Sequence, residues 1–598
     1  MLAKKWHRAL FRPDAASSLR STIGGLSSGG FAPLYSKAAS SALTPYDSLE
    51  AVRSEPRLNP LYNALFQIAQ GYAMFHDALI HSNRDIPKAT NRFILNALSS
   101  LSPHVNSNPE KLLDLIREGF YHRELLQATF GEIMVETLPC PAGIAEWVPM
   151  TLSESDIIQA GQVLSDARRS NGVAGDEQLL AEFMTVGLRG LSEMHLETLN
   201  LLESVEYRAT EETEVFDFVA EAISHVASQE LDVATILSFL HITGQTVANS
   251  LSELSSLETK AFGTKQTVRV RTSPVAGTGM LVAGTTTSDL EVLLHYAKRH
   301  NVNVYTYGDL IEAHKYSRLR SAKNLVGHYG RSAEHQQEDF ENFPGSIIVA
   351  SGMLLPVRKS YANRLFSMSN FSAQGANDVG GTSTTHLEDI STRAGLDSCF
   401  GEDADEARVE VVHYDVGEVA AQLADGVVSG SIRHVFLLGG SNGARLENDY
   451  VLQFVNQAHD DSVFITFGSA KHALGNLVKP ETCGTINGGA LPRIIDLGPL
   501  EKTVDALQLV REFEKQMILR TRSDRVPLST LYWLSCQKSC ACLLALLADG
   551  VRNIYVGPEL SPFMSDSVQT YFSDAYKLYP ISTPENDIKK MSTLTISD

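Results

Sequence analysis

Two glycine-rich stretches hold most of the residues that could do chemistry in this chain. Gly439–Arg445 reads GGSNGAR and Gly468–Lys471 reads GSAK. Each follows a short apolar run and precedes a segment with helical spacing. Such a loop turns backbone N–H groups toward an anion, with the positive end of a helix dipole behind them. Thr285, Ser441, Asn442 and Ser469 add short polar side chains beside glycines, and Arg445, Lys471, Arg493 and Lys538 add positive charge. Together these residues would suit a phosphate group. The competing reading is that the hydroxyls only fill space with hydrogen-bonded side chains. No Walker A pattern is present, so a lone glycine-rich loop carries little weight by itself. The six cysteines are Cys140, Cys399, Cys483, Cys536, Cys540 and Cys542, and none forms a C-x-x-C pair. The commonest zinc and iron–sulfur spacings are therefore missing. Cys536, Cys540 and Cys542 precede an apolar run, where free cysteines are ordinarily core residues. His314, His328 and His472 show no ligand spacing to one another and read as hydrogen-bonded loop residues.

The elements that would position these residues change character along the chain. Apolar residues at helical spacing run through Asn59–Ile80, Asn91–Leu98, Lys111–Leu126, Leu179–Leu202, Val215–Val226 and Asp232–Leu254. β-Branched runs are scarce there, which predicts a helical bundle. Its acids, such as Glu211, Glu212 and Glu214, read as a solvated face. After Lys265, short β-branched runs alternate with helical segments: Val268–Thr272, Met280–Ala283, Val302–Tyr305, Ser346–Ala350, Val409–His413, His434–Leu438, Ser462–Thr466, Arg493–Asp496 and Asn553–Val556. Apolar strands joined by helices predict parallel sheets, whose ligands sit beyond the carboxyl ends of the strands. The expected fold class is α/β with a helical N-terminal domain: residues 46–262 form a bundle, and 263–395 and 396–598 form two Rossmann-like domains.

Within the α/β half, Leu543–Val568 (LLALLADGVRNIYVGPELSPFMSDSV), Asn303–Asp309 (NVYTYGD), Val326–Gly330 (VGHYG), Ser462–Lys471 (SVFITFGSAK) and Gly489–Gly498 (GALPRIIDLG) fall in one order. In that order they resemble the hybrid cluster proteins, the prismane or hydroxylamine reductase family. That family holds an iron–sulfur–oxygen cluster with a His, two Glu and four Cys. Carried over motif by motif, the resemblance puts those ligands on Thr285, Asp309, Met353, Ser441, Ser469, Leu500 and Cys536. None keeps the family's residue type, and no cysteine precedes Cys140, so the amino-terminal cluster's four cysteines are missing too. Thiolates hold such clusters, and Ser, Met and Leu do not replace them. The expectation from the resemblance is a scaffold without cofactor or metal, and no enzyme.

From Met1 to Thr44 the chain is basic, serine-rich and nearly free of acids, which predicts a mitochondrial transit peptide over residues 1–45 and a matrix location. The whole chain has 598 residues and a net charge of −20, which disfavours a broad nucleic-acid surface but not one local pocket. No apolar run reaches the length of a membrane span, so no membrane insertion is expected. A lost cluster, a transit peptide and a Ser/Gly/Lys pocket together are similar to the guide-RNA-associated proteins of kinetoplastid mitochondria. That resemblance implies a dimer with a paralogous or identical subunit inside a multiprotein RNA-editing complex, with an RNA 5′-triphosphate in the vacated pocket. Two alternatives stay open: a purely structural paralogue without ligand, and a hydroxylamine or nitric oxide reductase.

Overall fold

The computed structural model describes residues 55–130, 142–145, 147–170, 175–204, 213–228, 232–285, 287–330, 335–350, 356–368, 371–379, 399–402, 404–440, 445–474, 485–486, 491–522, 526–557 and 565–592. The expected transit segment and the expected boundary at residue 395 lie outside the described residues.

The amino-terminal half is helical, as its periodicity predicts. Helix Leu58–His81 is buried on nearly every side because helices Pro109–Phe130, Glu154–Ser170 and Glu214–Ser228 surround it. Two longer helices, Asp176–Ser204 and Val233–Phe262, run against each other and carry the bundle toward the rest of the chain. The second starts at Asp232, whose carboxylate accepts hydrogen bonds from the N–H groups of Ala234 (3.3 Å) and Thr235 (3.1 Å). This is an ordinary aspartate N-cap. No helix among the described residues is long and apolar enough to cross a membrane.

Two parallel sheets follow. In the first, β2 (Gly277–Ala283), β3 (Asn303–Tyr307), β4 (Leu325–His328), β5 (Ser346–Val349), β6 (Leu365–Ser367) and β7 (Asn377–Asp378) lie in the order β4-β3-β2-β5-β6-β7, and the short β8 (Cys399–Phe400) pairs antiparallel with the start of β2. In the second, β10 (His434–Gly440), β11 (Ser462–Thr466), β12 (Ile494–Asp496), β13 (Leu528–Trp533), β14 (Ile554–Gly557) and β15 (Leu578–Pro580) lie in the order β12-β11-β10-β13-β14-β15. Both read outward from a first central strand in two directions, the doubly wound arrangement. Their switch points fall between β2 and β5, and between β10 and β13.

Two strand readings needed correction. Val268–Thr272 and Val409–His413 do contain strands, β1 (Val268–Arg271) and β9 (Arg408–Val411), but these pair antiparallel with each other outside both large sheets. Their alternating Arg and Glu residues suit a ribbon wet on one face rather than a buried parallel strand. Strand β13 was missed because Ser529 and Thr530 interrupt its apolar run. Both are buried, and Ser529 is held by His434 Nε2 at 3.1 Å and by the carbonyl of Met591 at 3.2 Å.

Helix Gln537–Ala548, which follows β13, joins the halves. It packs against helices Asp176–Ser204 and Val233–Phe262, so the bundle and one face of the second sheet share a continuous core. Two glycines permit the approach. A Cβ at Gly190 would stand 2.2 Å from the Gln537 carbonyl oxygen, and one at Gly244 would stand 2.1 Å from that of Leu544. Backbone cannot yield as a flexible side chain does. We therefore expect Gly244→Ala to lower stability by about 1–3 kcal/mol through overpacking, read as a lowered Tm.

Candidate functional site

Carboxyl ends from both sheets meet the bundle around three buried lysines. Lys471 stands on the short helix Ala470–Leu474, just after β11. Its ammonium lies 3.0 Å from Asp309 and 3.6 Å from Asp496. Asp309 follows β3 of the first sheet, where Gly308 takes a positive φ of 63° to turn the chain. His472 Nε2 lies 3.3 Å from the same carboxylate. Burial alone would raise the Asp309 pKa, but Lys471 and His472 outweigh it and hold the carboxyl well below its usual range. One ion pair thus ties the two sheets together.

Lys538, in the first turn of helix Gln537–Ala548, meets three acids. It donates to Glu197 and to Glu501 (2.8 Å), and lies 3.5 Å from Glu193. Glu193 and Glu197 sit one turn apart on helix Asp176–Ser204, so the bundle supplies two of the three carboxylates. Burial, reinforced by Glu501 and Glu193, pushes Glu197 up to about 8 despite Lys538. Neighbouring Gln537 continues the network: it donates to Glu193 (2.8 Å) and accepts from Arg189 (3.0 Å).

The third lysine, Lys502, donates to Glu258 at 2.8 Å. Glu258 also accepts from Tyr316 (2.6 Å) and Thr287 (3.0 Å). Burial opposes its charge, but Lys502 and then Lys265 lower its pKa. Glu197, Glu258, Thr285, Asp309, Glu312, Glu501 and Lys502 are among the residues around one cavity of about 490 Å³. Much of it is fissure between side chains, with open room for about two water molecules. Beside it, Thr306 Oγ1 lies 3.0 Å from both His314 Nε2 and His328 Nδ1. Burial lowers those histidines to about 4 and about 3, so both are neutral near pH 7.

Placed in this frame, the sequence-selected residues separate. Thr285 lines the cavity, and half-buried Ser469 lies beside Lys471, its N–H bonded to the Gly440 carbonyl at 3.0 Å. Lys471 and Lys538 are buried but not available as free phosphate cations, because acids on neighbouring elements neutralise them. Arg493 is corrected outright. It precedes β12, at the amino end of the sheet, and its guanidinium donates to the carbonyls of Val455, Ala458 and His459 at 3.3 Å each. Those oxygens lie at and just past the carboxyl end of helix Arg445–Gln457, which attracts a cation. Arg445 opens that helix. Ser441, Asn442 and Met353 lie outside the described residues.

The glutamates were the part missed. Glu193, Glu197 and Glu258 look like ordinary helical acids; the available signal was that each interrupts an apolar face at i, i+4 spacing. Glu501 follows directly on Leu500.

The donor set does not fit an iron–sulfur cluster. Asp309 is engaged by Lys471 and His472. Cys536 caps helix Gln537–Ala548, its sulfur accepting from Ser539 N–H at 3.4 Å, and burial raises its thiol pKa. Leu500 offers only its carbonyl, which is bonded to Thr503 Oγ1 at 2.7 Å. Among the described residues no three His, Cys, Asp or Glu side chains could hold a metal ion. Cys540 and Cys542 are buried core thiols, as their position in an apolar run predicts.

The family model described as Prismane/CO dehydrogenase family matches residues 56–589. The chain belongs to that family. Hydroxylamine reductase of Burkholderia ambifaria (strain MC40-6) is 29% identical over 547 residues, covering 88% of this chain and 92% of that one. Hydroxylamine reductase of Moorella thermoacetica (strain ATCC 39073 / JCM 9320) is 30% identical over 429 residues, covering 70% and 95%. Among solved structures, the Ni-free carbon monoxide dehydrogenase from Thermococcus sp. AM4 overlays at a TM-score of 0.47 with 15% identity, covering 89% of this chain and 84% of that one. The two hydroxylamine reductases correct the expectation that the chain is no enzyme: relatives of this chain in sequence are named as reductases.

Glu197 is a carboxyl whose folded pKa, about 8, lies above its unfolded value of 4.5. The folded state therefore holds the extra proton between those values, and stability falls as pH rises through that window. Glu197→Gln mimics the protonated form. We expect it to flatten that decline and to raise stability at pH 8 by about 1–3 kcal/mol. Thermal melts at pH 5 and pH 8 check this; a variant that keeps the wild-type slope contradicts it.

Proposed function

We propose that this prismane-family chain is a subunit of a mitochondrial RNA-processing assembly, paired with a paralogous or identical chain, and that it holds the 5′-triphosphate of a guide RNA. The observation carrying the ligand site is the position of β10. Its carboxyl end lies at a doubly wound switch point, the place where such sheets take ligands. The sequence GGSNGAR leads from that strand end into helix Arg445–Gln457. The site belongs to this loop rather than to the lysine chamber, whose cations are compensated and whose cavity is walled by carboxylates. Arg445, the first residue of that helix, is the cation the sequence offers there.

The test compares one short RNA bearing either a 5′-triphosphate or a 5′-hydroxyl. We expect a preference of about tenfold or more for the triphosphate, lost in Arg445→Ala, since a charge-assisted contact is worth roughly 1.5–3 kcal/mol. Equal affinity for both RNAs would remove the reading.

The names of the relatives favour a second reading, reduction of hydroxylamine. Anaerobically purified protein with a reduced electron donor would then consume hydroxylamine. Failure of turnover in protein with a cooperative melt would set it aside.

A further inference from the structure

Helix Thr287–His300 ends at the amino edge of the first sheet, the edge away from the chamber, and carries Lys298 and Arg299 in its last turn. Beside it runs the turn that leads from helix Ser317–Arg320 into the edge strand β4. Asn324 Nδ2 donates to the Leu294 carbonyl at 3.0 Å, and Arg318 pairs with Glu291 at 2.8 Å, so the turn lies along the flank of the helix. Lys323 is next to Asn324, and Lys298 stands one turn beyond Leu294. Lys298, Arg299, Arg318, Arg320 and Lys323 are all exposed. Arg318 is answered by the buried Glu291, and Arg320 donates to Gln266 and to the carbonyls of His314 and Lys315 rather than to an acid. Among the described residues, Lys298, Arg299 and Lys323 have no ion-pair partner.

We propose that this face docks the sugar–phosphate backbone of a single-stranded polynucleotide, without regard to base sequence. In a chain of net charge −20, five exposed cations around one buried acid reverse the local field. The helix dipole favours cations in a last turn, which accounts for Lys298 and Arg299 at about 0.3–1 kcal/mol. It does not account for Lys323, which stands on a different element. The composition of the face selects the partner. Protein interfaces are built around an apolar centre and are poor in lysine. Here the exposed large apolar side chains, such as Tyr121, Met150, Ile518 and Leu519, lie on other elements. A surface of cations without an apolar centre suits phosphates instead. The acidic balance of the remaining surface confines the contact to this face, which fits one strand better than a duplex. The site is separate from the β10 loop and does not depend on it.

The experiment uses the full-length protein and a fluorescent oligouridine of about 20 nucleotides, its anisotropy read between about 50 and 200 mM salt. The probe carries a 5′-hydroxyl, so its result stands apart from that of the triphosphate site. Binding to a single strand weakens with salt by about 0.7 in log–log slope for each phosphate neutralised, so we expect a slope of about −2 to −4. The triple change Lys298→Ala, Arg299→Ala and Lys323→Ala should make that slope shallower by about 2 and weaken binding about tenfold or more at about 100 mM salt. Lys323→Ala alone should make it shallower by about 0.7. Changing Lys359, Lys515 and Lys589 to Ala removes the same charge from scattered exposed positions and should leave binding as in the wild type. Changes at the face that keep the wild-type slope, or a scattered triple that loses as much, would overturn the proposal. So would displacement of the RNA by polyglutamate of matching charge at equal concentration, which would make the partner an acidic protein.

Discussion

Replacing Lys538 with Met is expected to cost about 3–5 kcal/mol, the range found when one partner of a buried ion pair is removed. The ammonium is the cation between Glu197, Glu501 and Glu193, and the Met side chain offers no donor to any of them. Glu197 already holds its proton below about pH 8, so the loss falls mainly on Glu501, whose Oε2 lacks a hydrogen-bond partner. For a cooperative unit of about 150–250 residues the change corresponds to a Tm lowered by roughly 6–20 °C. Adding Glu501→Gln to Lys538→Met should recover some stability, because the uncompensated charge then disappears. A Tm within 2 °C (about 1 kcal/mol) of the wild type would show that the cluster is wet and weak.

The second large effect is expected at Lys471. Lys471→Met removes the main counter-charge of Asp309, and the loss falls on the junction between the two sheets. His472 remains beside the carboxylate, its Nε2 at 3.3 Å. In the wild type the sign for Asp309 is the usual one. Its folded pKa is depressed, so its contribution is present above about pH 4 and is lost as the pH falls further. We expect a loss of about 3–5 kcal/mol at pH 8, with the single melt separating into two steps as the sheets uncouple. Asp309→Asn combined with Lys471→Met should cost less than the two single changes added together, since the charges interact directly. Strict additivity would contradict a direct pair.

The elements legible in the sequence were those whose pattern depends on neighbours of the same kind. Strands β2, β5, β10 and β11 are continuous apolar runs buried on both faces, and the bundle helices repeat at helical spacing. Strand β13 was hidden because Ser529 and Thr530 interrupt its apolar run, and Ser529 satisfies its hydroxyl with His434 and Met591, both remote in sequence. The antiparallel pairing of β1 with β9 joins residues roughly 140 positions apart, beyond any local pattern. At the site, Asp309 lines the chamber cavity, and Lys471 and Lys538 are buried in ion pairs. Their chemistry was not legible, because the acids that neutralise the lysines include Glu193 and Glu197 on a distant helix. Arg493 was misjudged for a related reason: a residue at the start of a strand points its chemistry at the opposite edge of the sheet from one at the end.

The prismane chamber of this chain is built from lysine–carboxylate pairs where its resemblance places thiolate-held iron. Iron and acid-labile sulfide, measured on the anaerobically purified full-length protein alongside its thermal melt, test this most directly. A cooperative melt with iron and sulfide far below one atom per chain is expected. Stoichiometric iron and sulfide in the folded protein would contradict it.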